Sequence, residues 1–147
     1  MSEYVDITTE FKDLPSLVTA LCETGGWTRE QIEIHETLQP LVGYDKVRND
    51  QGAHVIVRRQ HVGSASNDIG FRREANGRYT LLMGDYDRGT GEYASLASTA
   101  RYGAKWQGRL KQNYAYQTLK SQQARYGRTV TRETKANGKM IVTVKGY

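Results

Sequence analysis

A chain of 147 residues and 16.6 kDa fits one domain, long enough to bury roughly two-thirds of the surface its unfolded form would expose, and too short for a second core. Hydrophobic residues make up only 37% and mean hydropathy is −0.70, but 10 tyrosines supply amphipathic rings for a core, which argues against disorder throughout. The net charge of +5 is unevenly laid out: residues 1–87 carry 9 Lys+Arg against 14 Asp+Glu, net −5, and residues 88–147 carry 12 against 2, net +10.

Tyr4, Ile7 and Phe11 interleave with Asp6, Thr8, Thr9 and Glu10 and predict a first strand. Asp13 is placed to cap a helix whose first turn holds Pro15, where a missing N–H costs nothing. Leu14, Leu17, Val18 and Leu21 follow the i, i+3, i+4, i+7 rule, Cys22 extends the stripe as a small buried hydrophobe, and Gly25-Gly26 ends it. Between Trp27 and Val47 the pattern suggests short strands interrupted by Pro40 and Gly43, followed by a turn at Asn49-Asp50-Gln51-Gly52 and a strand over Ala53–Val62. Gly63-Ser64-Ala65-Ser66-Asn67 reads as a mobile polar linker.

The clearest local signal follows. Asp68–Glu74 and Arg78–Met83 flank Asn76-Gly77, a hairpin with an expected type I′ turn, since Asn-Gly supports φ > 0 at both central positions. In Asp68-Ile69-Gly70-Phe71 the expectation is that Ile69 and Phe71 point inward and that Gly70 sits where a side chain would meet a neighbouring backbone. Arg88–Glu92 reads as a loop. Glu92–Tyr126 reads as a helix broken at the weak points Gly103 and Gly108, or as two helices, carrying one stripe of Tyr102, Trp106, Leu110, Asn113 and Gln117 and another of Ala115, Leu119 and Tyr126, and ended by Gly127. Thr129–Thr134 and Met140–Val144 flank Asn137-Gly138 as a second hairpin of the same expected turn type. This order predicts an α+β fold, a mostly antiparallel sheet with helices on one face, with a ferredoxin-like variant as the expected topology.

Several stretches in order, Thr8 to Leu21 with Phe11-Lys12-Asp13-Leu14, Asp68-Ile69-Gly70-Phe71, Tyr79, Asp85, Asn113-Tyr114-Ala115-Tyr116 and the region of Gly127, resemble domain of unknown function 1257. This is a conserved family of cyanobacteria and red-algal plastids, the chloroplast reading frame numbered thirty-five. Members usually carry Arg-Tyr-Ala-Tyr at the fourth of these stretches and lack a segment equivalent to Arg88–Gly108. The resemblance implies a fold and a cytoplasmic or stromal setting, with no cofactor and no catalytic residues attached to it; the family's frequent ATPase-type gene neighbours lean towards an accessory protein.

Chemistry is hard to find in the residues themselves. His54 and His61, seven apart in the expected strand, point to opposite faces and cannot share a metal, and no Cys/His cluster joins them or His35. Asp85 and Asp87 at strand spacing could form a general acid/base pair, although Tyr86-Asp87-Arg88-Gly89 reads better as a capped turn. Gly89-Thr90-Gly91 has no Gly-Lys-Ser/Thr after it, and no Ser/His/Asp set is visible. The expectation is a protein with no enzymatic activity, metal or cofactor.

No apolar run approaches the roughly 18 residues of a membrane helix, and MSEYVDITTE lacks a basic stretch followed by an apolar one. A lone Cys22 cannot form an internal disulfide, so a soluble, cytoplasmic protein is expected. The binding residues expected for an anionic partner are Arg101, Lys105, Arg109, Lys111, Lys120, Arg125, Arg128 and Arg132. They suit an acidic protein surface, another copy's acidic residues 1–87, or nucleic acid, whose bases would stack on the interleaved rings. Within the fold, the acidic residues 1–87 could equally neutralise them.

Overall fold

The computed structural model describes residues 4–146; the leader reading of the N-terminus rests in part on residues 1–3, which lie outside them. Strand β1 (Tyr4–Thr8) leads to α1 (Leu14–Gly25), where Asp13 accepts the Ser16 N–H at 3.1 Å, Pro15 occupies the first turn, and Gly26 closes the helix at φ +72°. Phe11 lies beyond β1, in the connection to the helix, and is buried.

The middle of the chain corrects the sequence reading. Residues read as broken strands form one long strand, β2 (Ile32–Val42), with a bulge between Ile34 and Gln39, and the expected turn at 49–52 lies inside β3 (Arg48–Val57). Pro40 does not interrupt β2 because β2 is a sheet edge, where a residue without an N–H leaves no ladder bond unmade. The chain leaves β3 at Val57 for one helical turn, α2 (Arg59–Val62), so the expected strand through Val62 stops five residues early.

Strands β4 (Ile69–Arg73) and β5 (Tyr79–Gly84) complete a five-stranded antiparallel sheet ordered β1-β5-β4-β3-β2. This is an α+β protein, but its strand order is not ferredoxin-like. The β3–β4 connection is too short to hold a crossover helix, so β2 to β5 pair as a meander, and β1 returns to the far edge beside β5. After β5 come one turn, α3 (Asp85–Arg88), a 3₁₀ stretch at Gly91–Leu96 and the long helix α4 (Ala104–Ala124). Gly103 is the helix N-cap, whereas Gly108 lies inside α4 facing open space and does not break it. The last hairpin, β6 (Thr129–Thr134) and β7 (Met140–Lys145), makes a separate two-stranded sheet.

Helices α1 and α4 cover one face of the main sheet. Leu17, Leu21, Trp27, Val55, Val57, Ile69, Phe71, Leu81, Met83, Tyr102, Trp106 and Leu110 form a continuous core there, each large side chain contributing roughly 1.5–3 kcal/mol by leaving water. Tyr102 and Trp106 belong to the segment 88–108, which is therefore joined to the core through these rings. On the opposite face Leu41, Ala53, Ile56 and Leu82 pack together. A Cβ on Gly70 would lie 2.7 Å from the Ala53 Cβ and 2.9 Å from Leu41 Cδ2, so side chains of the folded-over β2–β3 pair, not a backbone, demand glycine there. Of the expected second stripe on α4, Ala115 and Tyr126 are exposed; the contact on that side is made by Tyr116, whose hydroxyl donates to the Val130 carbonyl at 3.3 Å.

Candidate functional site

The eight basic residues expected to act together fall into separate groups. Arg132 is committed internally: its guanidinium lies 4.1 Å over the Tyr116 ring, donates to Asn113 Oδ1 at 3.0 Å and pairs with Glu23 of α1. Arg128 lies over Tyr126 and donates to Gln123 Oε1 at 3.0 Å. Lys111 borders a groove with Thr9, Glu10 and Phe11, and Arg125 borders another with Asp13 and Thr118, which sets both on the flank of α4 next to the β1–α1 connection. Lys105, Arg109 and Lys120 recur on the other flank at 100° per residue. All three are exposed.

Gln112 Nε2 reaches the Gly138 carbonyl at 3.4 Å, bringing the tip of the β6–β7 hairpin, with Lys139, alongside the turn of α4 that carries Arg109. Among the described residues the acidic N-terminal part does not neutralise this surface. Those of its carboxylates that form ion pairs do so with their own neighbours, Glu33 and Asp68 with Arg58, Asp6 and Glu74 with Arg72, Glu10 with Arg78, and only Glu23 crosses to the C-terminal part. Ile141 and Val144 of β7 stay about two-fifths exposed.

A different arrangement lies at the end of β5. Asp85 and Asp87 are not on a strand. Asp85 opens α3 and accepts the Thr90 hydroxyl at 2.7 Å, whereas Asp87 turns inward to 3% exposure. Its carboxylate accepts the Ser66 hydroxyl and, at 3.4 Å, the Asn67 N–H. Burial pushes the Asp87 carboxyl up to about 6, against the two hydrogen bonds, which pull it down. The supposed mobile linker is thus a buried polar hub. Ser66, Asn67 and Asp68 are all nearly inaccessible, and Asp68 accepts from the Val42 and Arg59 N–H groups at 2.7 and 2.6 Å and from Arg58 Nη1 at 2.9 Å. Sequence reasoning missed Ser66 and Asn67; the run of hydroxyl, amide and carboxylate side chains at 64–68, each able to bond backbone, was the available signal.

Asp87 and Ser66 border an open cavity of about 510 Å³, lined also by Val62, Tyr86, Leu96 and the Arg101-Tyr102 pair. Tyr102 donates to the Val62 carbonyl at 2.8 Å, and Arg101 Nη1 reaches the same oxygen at 3.4 Å while its guanidinium lies 5.4 Å from the Tyr102 ring centre. Arg101 therefore belongs to this cavity rather than to the flank of Lys105 and Arg109.

The histidines are dispersed: His35 pairs with Glu33 at 2.8 Å, the His54 ring accepts the Arg73 N–H at 3.0 Å, and His61 sits on α2. Burial raises the Cys22 thiol, outweighing Arg29. Among the described residues no helix is long and apolar enough to cross a membrane.

The family model described as "Protein of unknown function (DUF1257)" matches residues 29–143, so β1 and α1 precede the matched region. No curated protein and no solved structure matches the chain. The chain belongs to the DUF1257 family.

Proposed function

We propose that this DUF1257 member is a non-enzymatic accessory protein that binds an acidic protein partner through the α4 flank and hairpin tip carrying Lys105, Arg109 and Lys139. The observation behind this reading is that these exposed cations have no carboxylate at ion-pair distance among the described residues, while the N-terminal carboxylates that form ion pairs form them elsewhere. Clustered unmatched charge concentrates surfaces of opposite sign and steers their approach. Exposed Ile141, two residues beyond Lys139, adds the apolar contact that a protein interface uses and a phosphate backbone does not. A free Cys22 is in keeping with a reducing, cytoplasmic setting.

Nucleic acid is the weaker reading, because a single-strand surface needs exposed rings to stack bases. Tyr102 and Trp106 are buried in the core, which leaves Tyr126 as the one exposed ring of the three, with the Arg128 guanidinium 5.3 Å from its centre. The test is the triple substitution Lys105→Ser, Arg109→Ser and Lys139→Ser. Native protein should capture an acidic partner from cell extract, or self-associate by light scattering, in a salt-sensitive way, and the variant should lose this with its unfolding free energy held within about 0.5 kcal/mol per site. Capture and assembly unaffected by the triple substitution would sink the proposal. So would fluorescence anisotropy showing tight DNA or RNA binding at about 50 mM salt that falls steeply as salt rises.

A further inference from the structure

Independently of the basic surface, the cavity at the end of β5 has two features that the fold itself does not account for. One wall carries Asp87, 3% exposed, with a serine hydroxyl and a backbone amide as partners and no cation at ion-pair distance among the described residues. Burying a carboxylate without a cation opposes folding, and such groups gather at functional sites. The rim carries Arg101, exposed, which meets a carbonyl and a ring face and, among the described residues, no carboxylate at ion-pair distance. An acid lacking a cation and a cation lacking an acid border the same space without meeting each other.

The remaining lining tells what else the occupant needs. Tyr86 and Leu96 provide apolar wall, and the Ser64 to Ser66 connection lines the space with small side chains. About 510 Å³ lies within the range of roughly 300–1,000 Å³ typical of small-molecule sites. A purely anionic ligand would meet Asp87 unfavourably, and a purely cationic one would leave Arg101 unused. We propose that this cavity binds a small zwitterion of the amino-acid class, its ammonium group on Asp87 and its acidic group on Arg101, with the intervening carbons against Tyr86 and Leu96. Ser66 is a positioning residue: its hydroxyl donates to Asp87 and holds one carboxylate oxygen, leaving the carboxylate's remaining lone pairs for an ammonium donor.

The experiment is a thermal-shift and calorimetric series on the full chain with lysine, γ-aminobutyrate, glutamate and phosphoethanolamine at millimolar concentration, beside butylamine and butyrate, which each carry one charge. Any ligand bound by the native state raises the melting temperature by mass action. At least one zwitterion should do so where butylamine and butyrate at equal concentration do not. Asp87→Asn, which keeps the shape and can still accept from Ser66, should abolish that shift, and Arg101→Gln should weaken binding tenfold or more. A flat response to all four zwitterions would overturn the assignment, as would a shift that survives Asp87→Asn. The Lys105/Arg109/Lys139 triple variant should bind the zwitterion like native protein, so failure of one reading does not carry the other with it.

Discussion

The protein holds two hairpins with nearly the same turn and opposite surroundings. Glu74-Ala75-Asn76-Gly77 joins β4 to β5, and Lys135-Ala136-Asn137-Gly138 joins β6 to β7. In each, the glycine N–H returns to the carbonyl three residues back at 2.9 Å, the first residue's N–H bonds the residue after the glycine at 2.8 Å, and the glycine adopts φ +84°. Neither Asn76 nor Asn137 is left-handed. These are type I turns closed by a glycine bulge, not the type I′ turns that Asn-Gly suggests, because the central pair is Ala-Asn and glycine takes the bulge position. Equal turns give equal local pairing, yet one hairpin is walled in by helices and strands while the other offers Val130 alone as a buried side chain. Turn chemistry decides that a hairpin forms; what lies across its faces decides whether it holds the fold or stands free for a partner.

Truncation at the centre of each hairpin should separate them most. Phe71 has no exposed surface and meets the Phe11 ring at 6.1 Å, so Phe71→Ala should cost roughly 3–5 kcal/mol in denaturant melts. Val130→Ala removes two methylene equivalents from a shallower contact and should cost about 1.5 kcal/mol or less. If Phe71→Ala melted like native protein but lost partner binding, Phe71 would have to be a contact residue instead of a core one.

The β4–β5 hairpin also ends in the buried Asp87, which the outer hairpin has no counterpart for. Its carboxyl is held up at about 6 in the folded protein against 3.8 ordinarily, so the native state keeps the proton more tightly than the unfolded chain does. The ionised form is thus the destabilised one: stability is full below about pH 4, falls as pH rises towards 6 and is level above that. Tyr4 and Tyr102 feel its charge, and burial raises both hydroxyls, further from that interval. Asp87→Asn should therefore stabilise the protein at pH 7 by up to about 3 kcal/mol, with no gain near pH 4. A variant that is more stable and also fails to bind zwitterion would show a buried charge kept for the ligand at the expense of the fold. A pH-independent difference between the two proteins would remove Asp87 as the titrating group.

How far the sequence could be read follows the same division between local and distant determinants. Helix α1 was legible down to its ends, because Asp13, Pro15, the leucine stripe and Gly26 act within a dozen residues. Both hairpins were legible in place, though not in turn type. Strand β2 was not, because Pro40 breaks a central strand and is harmless at an edge, and edge position is a property of the whole sheet. The polar hub at 66–68 was not legible either. Tyr4 donates to the Asp68 carbonyl at 2.9 Å across 64 residues, and Ser66 meets Asp87 across 21, so what looks like a solvated linker is buried only once β1, β2 and α3 have arrived. The basic stretch was visible as composition, but its division among Glu23, the cavity and the open flank of α4 depends on how α4 and the last hairpin pack.

The smallest expected effect tests whether the outer hairpin is energetically separate. Gly77 and Gly138 share φ +84° and have nothing within 4 Å of a built Cβ, so alanine at either site meets only left-handed strain, on the order of 1–2 kcal/mol. Local cost is matched, and any difference in readout comes from coupling. Gly77→Ala distorts a hairpin paired on both sides, β4 with β3 and β5 with β1, so its cost should appear in full in global melting. Gly138→Ala strains a hairpin tied to α4 by Tyr116 on Val130, Gln112 on Gly138 and Arg132 on Asn113, and to α1 by Arg132 on Glu23. Local opening of 129–145 can relieve that strain while the main core stays intact. Amide exchange should then show faster opening in β6 and β7 of the Gly138→Ala protein with its main melting transition unmoved. Equal lowering of the main transition by both substitutions would mean that the outer hairpin melts with the core, and a partner seated on it would feel the stability of the whole sheet.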